Sequence, residues 1–332
     1  MLAAAAVALL TVAGLASATP RLIVTGTTIQ VLEEKSDAAP LKITIFVPSG
    51  YTATLAQTAG SQIGTVHADL QALQISPDAI IQADGTVLAA DPATPALQAS
   101  ATQCTGTASH AGIWLLHVTV SGQTIDVPEY VDPTTGTETA LGAAKIQLCL
   151  SDPYENAGPA RAVFGAKIIN AKMTLNPTVI GAPTSGSYLW RSIITPWNTA
   201  APAPDALHTV ETQSFVALPQ AATLKAKVKK SGKKRTVTLS GAVTEGGSGV
   251  SGASVALYAG SKKVATVTTS SSGKYSKTLP LKKKTKFQAK VTVPQRDATC
   301  QSPLPATSVP GGCASATIAG YTKSSAVVSA KP

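Results

Sequence analysis

The chain has 332 residues, a net charge of +10 and 44% hydrophobic residues, but only 13% charged and 4% aromatic ones. The hydrophobic fraction excludes a chain too polar to fold. The wealth of Ala, Thr, Ser, Val and Gly disfavours helix bundles, which draw on Glu, Lys and Leu, and the length suggests about two domains.

The first feature is MLAAAAVALLTVAGLASATP. An apolar run from Leu2 to Leu15 ends in Ala16-Ser17-Ala18, a small-x-small cleavage pattern. It reads as a secretory leader, residues 1–18, cut after Ala18, although no Lys or Arg precedes Arg21 to give the usual positive start. The run is short for a bilayer span, and no later stretch is long and apolar enough for one after leader cleavage. The expected location is therefore secreted or extracellular, with cell-wall association as a further expectation.

From residue 19 to 221 the pattern is one of strands and turns. Ile43, Ile45 and Val47 alternate with Lys42, Thr44 and Phe46 before Pro48-Ser49-Gly50. Trp114, Leu116, Val118 and Val120 share a face in GIWLLHVTVSG, and Ile146, Leu148 and Leu150 share one opposite Cys149. AKIINAKMTL and SYLWRSIITPW are further strands. TVHADLQALQI fits both a strand and a helix face through Val66, Leu70 and Leu73; no other mature segment shows helical periodicity. Many short strands between turn signals imply a sandwich or barrel.

Four Cys in an exported chain suggest two disulfides, with three possible connectivities. Position favours Cys104–Cys149 and Cys300–Cys313, one in each half of the chain. No C-x-x-C occurs, so a zinc site is not expected.

The charge divides at Ala221. Residues 1–221 carry 8 Lys and Arg against 15 Asp and Glu, a net of −7; residues 222–332 carry 19 against 2, a net of +17. Such asymmetry argues for an acidic domain over 19–221 and a basic one over 222–332. In the basic half LKAKVKK alternates Leu224, Ala226 and Val228 with Lys225, Lys227 and Lys229, and Ser231-Gly232-Lys233-Lys234 turns the chain. This is a hairpin with a lysine face, not a disordered tail. Val255 and Leu257, then Val264 and Val267, form a second hairpin; Tyr275 and Phe287 are expected inward.

LSGAVTEGGSGVSGASVALYAG followed by TVTTSSSGKYSKTL resembles the bacterial immunoglobulin-like and carboxypeptidase-regulatory-like (prealbumin-like) modules of exported proteins. The residues that carry the likeness are Gly241, Val243, Gly252-Ala253, Val255, Leu257, Thr269, Gly273 and Tyr275. The resemblance covers about 222–330 and implies an immunoglobulin-like β-sandwich of about seven strands, with the glycines at turns. It implies little about function, because such sandwiches host many roles. PQRDATCQSPLPATSVPGGCAS departs from the pattern and reads as a disulfide-tied loop before the last strand. The first half resembles no family.

No H-E-x-x-H, Walker loop, G-x-S-x-G or calcium loop is present. His67, His110, His117 and His208 stand apart in sequence, and His67 shares a face with Asp69 if that run is a strand. Tyr188, Trp190 and Trp197 could form a carbohydrate platform, but in a chain so poor in aromatics they read as core. LPATS, Leu304–Ser308, lacks the apolar segment and basic tail of a wall-anchoring signal. No catalytic residue, metal ligand or cofactor is expected.

Nucleic acid is a poor partner for this export-signal chain, whose basic half is Lys-rich with only Arg235 and Arg296 as arginines. Two readings of the lysines remain. One is solubility and the blocking of sheet edges. The other is attraction to anionic cell-wall polymers through Lys225, Lys227, Lys229, Lys233, Lys234, Lys286 and Lys290, with other surface proteins as further partners. The expectation is an exported, all-β, non-catalytic bacterial cell-surface protein of two β-sandwich domains, the second immunoglobulin-like. The rival is a secreted enzyme or a small-ligand or carbohydrate-binding protein with its site in loops of the first domain, which a deep pocket with converging polar groups would favour.

Overall fold

The computed structural model describes residues 20–332 apart from 74, 75, 77, 121 and 155–165. The leader expected at 1–18 lies outside the described residues. The spacing of two between apolar residues dominates the chain, which is accordingly almost all β. The first half supplies β1 (Arg21–Thr25), β2 (Thr28–Leu32), β3 (Pro40–Val47), β4 (Thr52–Ala53), β5 (Gln62–Ala72), β6 (Ile80–Ala90), β7 (Gly112–Val120), β8 (Gln123–Pro133), β9 (Ala144–Cys149), β10 (Ala166–Leu175), β11 (Ile180–Gly181), β12 (Gly186–Pro196), β13 (Val210–Leu218) and β14 (Gln220–Ala222). The ambiguous run at Val66 to Leu73 resolves as strand β5 up to Ala72.

One helix, α1 (Pro95–Thr105), was not legible as a periodic pattern. Pro95 opens it, and Gly106 closes it with φ of 84°, the left-handed region that glycine enters freely. Its only buried residue is Ala101, so it carries no apolar stripe; it covers a small cluster made with Ile113 and Tyr130.

The later strands are β15 (Lys225–Ser231), β16 (Lys234–Glu245), β17 (Ser248–Gly249), β18 (Ser254–Ala259), β19 (Lys262–Thr268), β20 (Lys274–Pro280), β21 (Thr285–Val293), β22 (Arg296–Ala298), β23 (Cys313–Ile318), β24 (Tyr321–Ser324) and β25 (Val328–Ala330). A large sheet of thirteen strands runs β1-β2-β10-β5-β6-β7-β8-β9-β3-β12-β13-β23-β22. It curls until β1 lies against β13 and β23. Val24 N donates to Ser214 Oγ at 2.9 Å, and the Thr317 and Ser315 hydroxyls donate to the carbonyls of Leu22 and Pro20. The enclosed core includes Leu22, Ile45, Trp114, Val131, Ile146 and Trp190.

The last two strands of that sheet correct the domain division read from charge. The segment that looked like a loop of the basic half leaves after β21 and crosses back, and β23 pairs in parallel with β13, with β22 outside it. Cys300–Cys313 is therefore attached to the acidic domain, not to the basic one. The reason is the edge of β13, whose backbone groups need partners that the first half does not provide. A buried network completes the joint. Glu211 pairs with Arg191 and accepts from Leu304 N at 2.8 Å; Gln213 Nε2 donates to Gln301 O at 2.9 Å, and Gln301 N donates to Gln213 Oε1 at 2.8 Å.

The basic half forms two further five-stranded sheets. In one, β16 pairs β15, β14, β17 and β20; in the other the path is β19-β18-β21-β24, with β25 also on β21. They share a core of Leu224, Val237, Leu239, Val255, Leu257, Tyr275, Phe287 and Val291. Tyr275 and Phe287 point inward, as expected. Gly241 has a different role from the turn glycines: a Cβ there would stand 1.9 Å from Thr223 O and 2.6 Å from the Tyr275 hydroxyl. Its lack of a side chain lets the Tyr275 hydroxyl reach Thr223 O, to which it donates.

Candidate functional site

Register decides where the cations of the basic half gather. The β15–β16 turn, the β18–β19 turn, the β20–β21 loop and the end of β25 lie at the same end of the two sheets. Leu281 N donates to Arg235 O at 2.9 Å, Gly260 N donates to Lys286 O at 2.9 Å, and Ala330 pairs with Thr285. This end carries Lys229, Lys230, Lys233, Lys234, Arg235, Lys262, Lys263, Lys282, Lys283, Lys284, Lys286 and Lys331, twelve of the 19 cations after Ala221. All the lysines among them are exposed. The two acids of this half, Glu245 and Asp297, lie at the other end, where Glu245 pairs with Arg296 and Asp297 with Arg21.

The seven lysines singled out from sequence are thus divided. Lys229, Lys233, Lys234 and Lys286 belong to the pole. Lys225 and Lys227 lie further along edge strand β15, opposite Ser240 and Thr238. Lys290 is on the outer face of the other sheet, 5.0 Å from the centre of the Tyr258 ring. A single flat lysine face does not exist; hairpin lysines and loop lysines meet at one end instead. The Lys pairs beside turns were the available signal, since alternate turns of antiparallel strands fall at the same end.

Each histidine of the first domain meets an aspartate, and His67 and His117 do so across the sheet. His67 Nδ1 lies 2.8 Å from Asp84 and Nε2 lies 3.3 Å from Asp69, while His117 Nδ1 lies 2.7 Å from Asp126. The hydrogen bond that Asp84 accepts from the ring raises the His67 pKa above its ordinary value. His208 pairs with Asp205 at 2.7 Å. His110 has the order of contacts of a hydrolytic triad: Nδ1 to Asp132 at 2.6 Å and Nε2 to the Thr105 hydroxyl at 2.9 Å. Its side chain is 0% exposed, however, and the Thr105 hydroxyl donates to Ala101 O at 2.9 Å. With no open side for a substrate, this array ties the end of α1 to β7 and β8. Among the described residues no group of three His, Cys, Asp or Glu could hold a metal.

Both disulfides have the pairing favoured by position, Cys104–Cys149 and Cys300–Cys313. The aromatic platform does not form. Trp190 is 0% exposed, edge-on to Tyr51 at 4.9 Å, and Trp197 Nε1 donates to Leu150 O at 3.1 Å. The fold does hold a cavity of about 460 Å³ inside the large sheet, lined mostly by apolar side chains such as Val66, Leu116, Val118 and Leu148. Glu129 is buried nearby among Trp114 and Leu148, its strand neighbours. Burial pushes its carboxyl up to about 8. Glu33 is likewise pushed up to about 8 by burial, against the pull of Lys167. Sequence reasoning missed both carboxylates, because Glu129 stands alone between Pro128 and Tyr130 and Glu33, beside Glu34 and Lys35, reads as part of a surface charge run; neither belongs to a motif.

No protein-family model, curated protein or solved structure matches this chain.

Proposed function

We propose that this is an exported, non-catalytic bacterial envelope protein whose basic module associates with anionic cell-wall polymers through its lysine pole. The observation that carries the reading is the position of the lysines. Blocking of sheet edges accounts for Lys225, Lys227 and Lys229 on edge strand β15. It does not account for Lys233 in the β15–β16 turn or for Lys282, Lys283 and Lys284 in the β20–β21 loop, which lie outside the ladders. Crowding like charges at one end destabilises a small domain, and solubility alone needs no such crowding. A polyanion relieves the repulsion. Lysine suits a flexible, repeating anionic chain, where no fixed bidentate geometry is required.

The immunoglobulin-like character of the module belongs to the same proposal. Strand neighbours β15-β16-β20 in one sheet and β19-β18-β21-β24 in the other support it. The two disulfides agree with an oxidising compartment.

The test uses the whole secreted chain on resin bearing poly(glycerol phosphate). Binding at low salt and release at high salt are expected, since the Debye length is about 8 Å at physiological ionic strength. Two variants then change the charge equally. One carries Gln at Lys262, Lys263, Lys282, Lys283 and Lys284; the other carries Gln at Lys225, Lys227, Lys274, Lys277 and Lys290. The first should elute at clearly lower salt than the second. Equal elution would reduce the effect to net charge, and no binding of the wild type at low salt would end the proposal.

A further inference from the structure

Three alanines stand abreast on the inner face of the first domain. Register pairs Ala171 of β10 with Ala68 of β5, and Ala68 with Ala83 of β6. Alanine leaves open the space that leucine or valine fills elsewhere on this face. Protein interiors keep few voids larger than a water molecule, and an empty apolar space destabilises the fold around it. The cavity above these alanines, about 460 Å³, has instead the size of a small-molecule site, roughly 300–1,000 Å³, mostly apolar with a few fixed polar groups.

Polar groups stand at both ends of the space. A recess of about 40 Å³ shares Val66, Leu116, Leu148 and Ala171 with the cavity and has Glu129 in its wall. Glu129 is 4% exposed, and its Oε2 has no hydrogen-bond partner. At the other end β8 pairs with β9 only from Glu129 to Pro133, so Gln123–Pro128 keep β7 as a neighbour but not β9, and Asp126, Ser151 and Asp152 line that side. Among the described residues lining the cavity the one cation, Lys167, donates to the carbonyls of Glu34 and Asp37, and Lys172 stands at the recess. At the open end a ligand with an anionic head would meet Asp126 and, among the described residues lining the cavity, no unpaired cation.

We infer that the first domain binds a neutral, mostly apolar small molecule in this cavity, with a carbonyl or ether oxygen of the ligand accepting a hydrogen bond from the Glu129 carboxyl. Burial keeps that carboxyl protonated at neutral pH, which makes it a donor. The proposal is independent of the lysine pole, which lies on the other module.

The test uses the whole secreted chain and the neutral dye N-phenyl-1-naphthylamine, which brightens in apolar surroundings. Wild type should bind it saturably, one per chain. Methyl laurate should displace it about tenfold better than the laurate anion does. Ala68→Leu, Ala83→Leu and Ala171→Leu are made separately, and those that keep the near-ultraviolet circular dichroism of the wild type should lose dye binding by at least about tenfold. Glu129→Leu should weaken displacement by methyl laurate while the dye itself still binds. The inference is overturned if wild type shows no saturable binding, if ester and anion displace equally, or if folded leucine variants bind the dye as tightly as wild type.

Discussion

At the scale of single residues, the informative groups are those whose surroundings contradict their chemistry. Glu129 is a carboxyl inside an apolar core, held at about 8 against an ordinary 4.5. Its folded value is raised, so the folded state keeps a proton that the unfolded chain loses between those two values. The contribution of this group to stability is fully present below about pH 4.5. It then falls as pH rises, by up to about 1.4 kcal/mol per pH unit, and levels off above about pH 8. Glu129→Gln should therefore be more stable than wild type at pH 7 and equal to it near pH 4, as read from urea midpoints at the two pH values. His110 is the opposite case, a buried polar group whose partners are in place: Asp132 on one nitrogen and Thr105 on the other. His110→Ala should lower stability by about 1–3 kcal/mol by removing the ring that joins Asp132 Oδ2 to the Thr105 hydroxyl. A calorimetric scan checks it.

At the scale of elements, the parallel pairing of β23 with β13 governs the architecture. Its strength lies in the buried contacts of Glu211 with Arg191, Gln213 and Leu304 N. Glu211→Ala leaves the Arg191 guanidinium, 8% exposed as a residue, without its carboxylate. A loss of about 3–5 kcal/mol is expected from chemical denaturation. Opening Cys300–Cys313 by Ser substitution removes a loop of 13 residues, worth about 3 kcal/mol on the loop-entropy account. If the network rather than the disulfide holds the segment, the double Ser variant keeps the native fold while Glu211→Ala does not.

At the scale of the whole molecule, the charge boundary at Ala221 is not a folding boundary. A chain cut there keeps β13 but loses β22 and β23, which exposes the β13 edge and strips partners from Glu211 and Gln213. Residues 19–221 expressed alone should aggregate, measured by sedimentation of the expressed product. Val293 pairs with Tyr321, so the ends of the excursion are neighbours in the sheet. Residues 222–293 joined to 321–332 by a short turn should consequently fold as a monomer with a single cooperative thermal transition.

The sequence by itself determined the local facts. Alternation fixed the strands around Ile45, Trp114, Val237 and Phe287, because a pleat sends neighbouring side chains to opposite faces whatever lies beyond it. The number of cysteines and their order favoured the two disulfides, and the lysines announced a basic module. The tertiary structure decided everything that depends on which strands become neighbours. It carried Arg296 and Cys313 back to the acidic domain, gathered turn lysines distant in sequence at one pole, and set Ala68, Ala83 and Ala171 side by side beneath a cavity. The physical reason is that strand pairing joins residues through backbone hydrogen bonds that carry no side-chain code. Register across distant strands is chosen by closure of the whole sheet, and no stretch of sequence contains that closure.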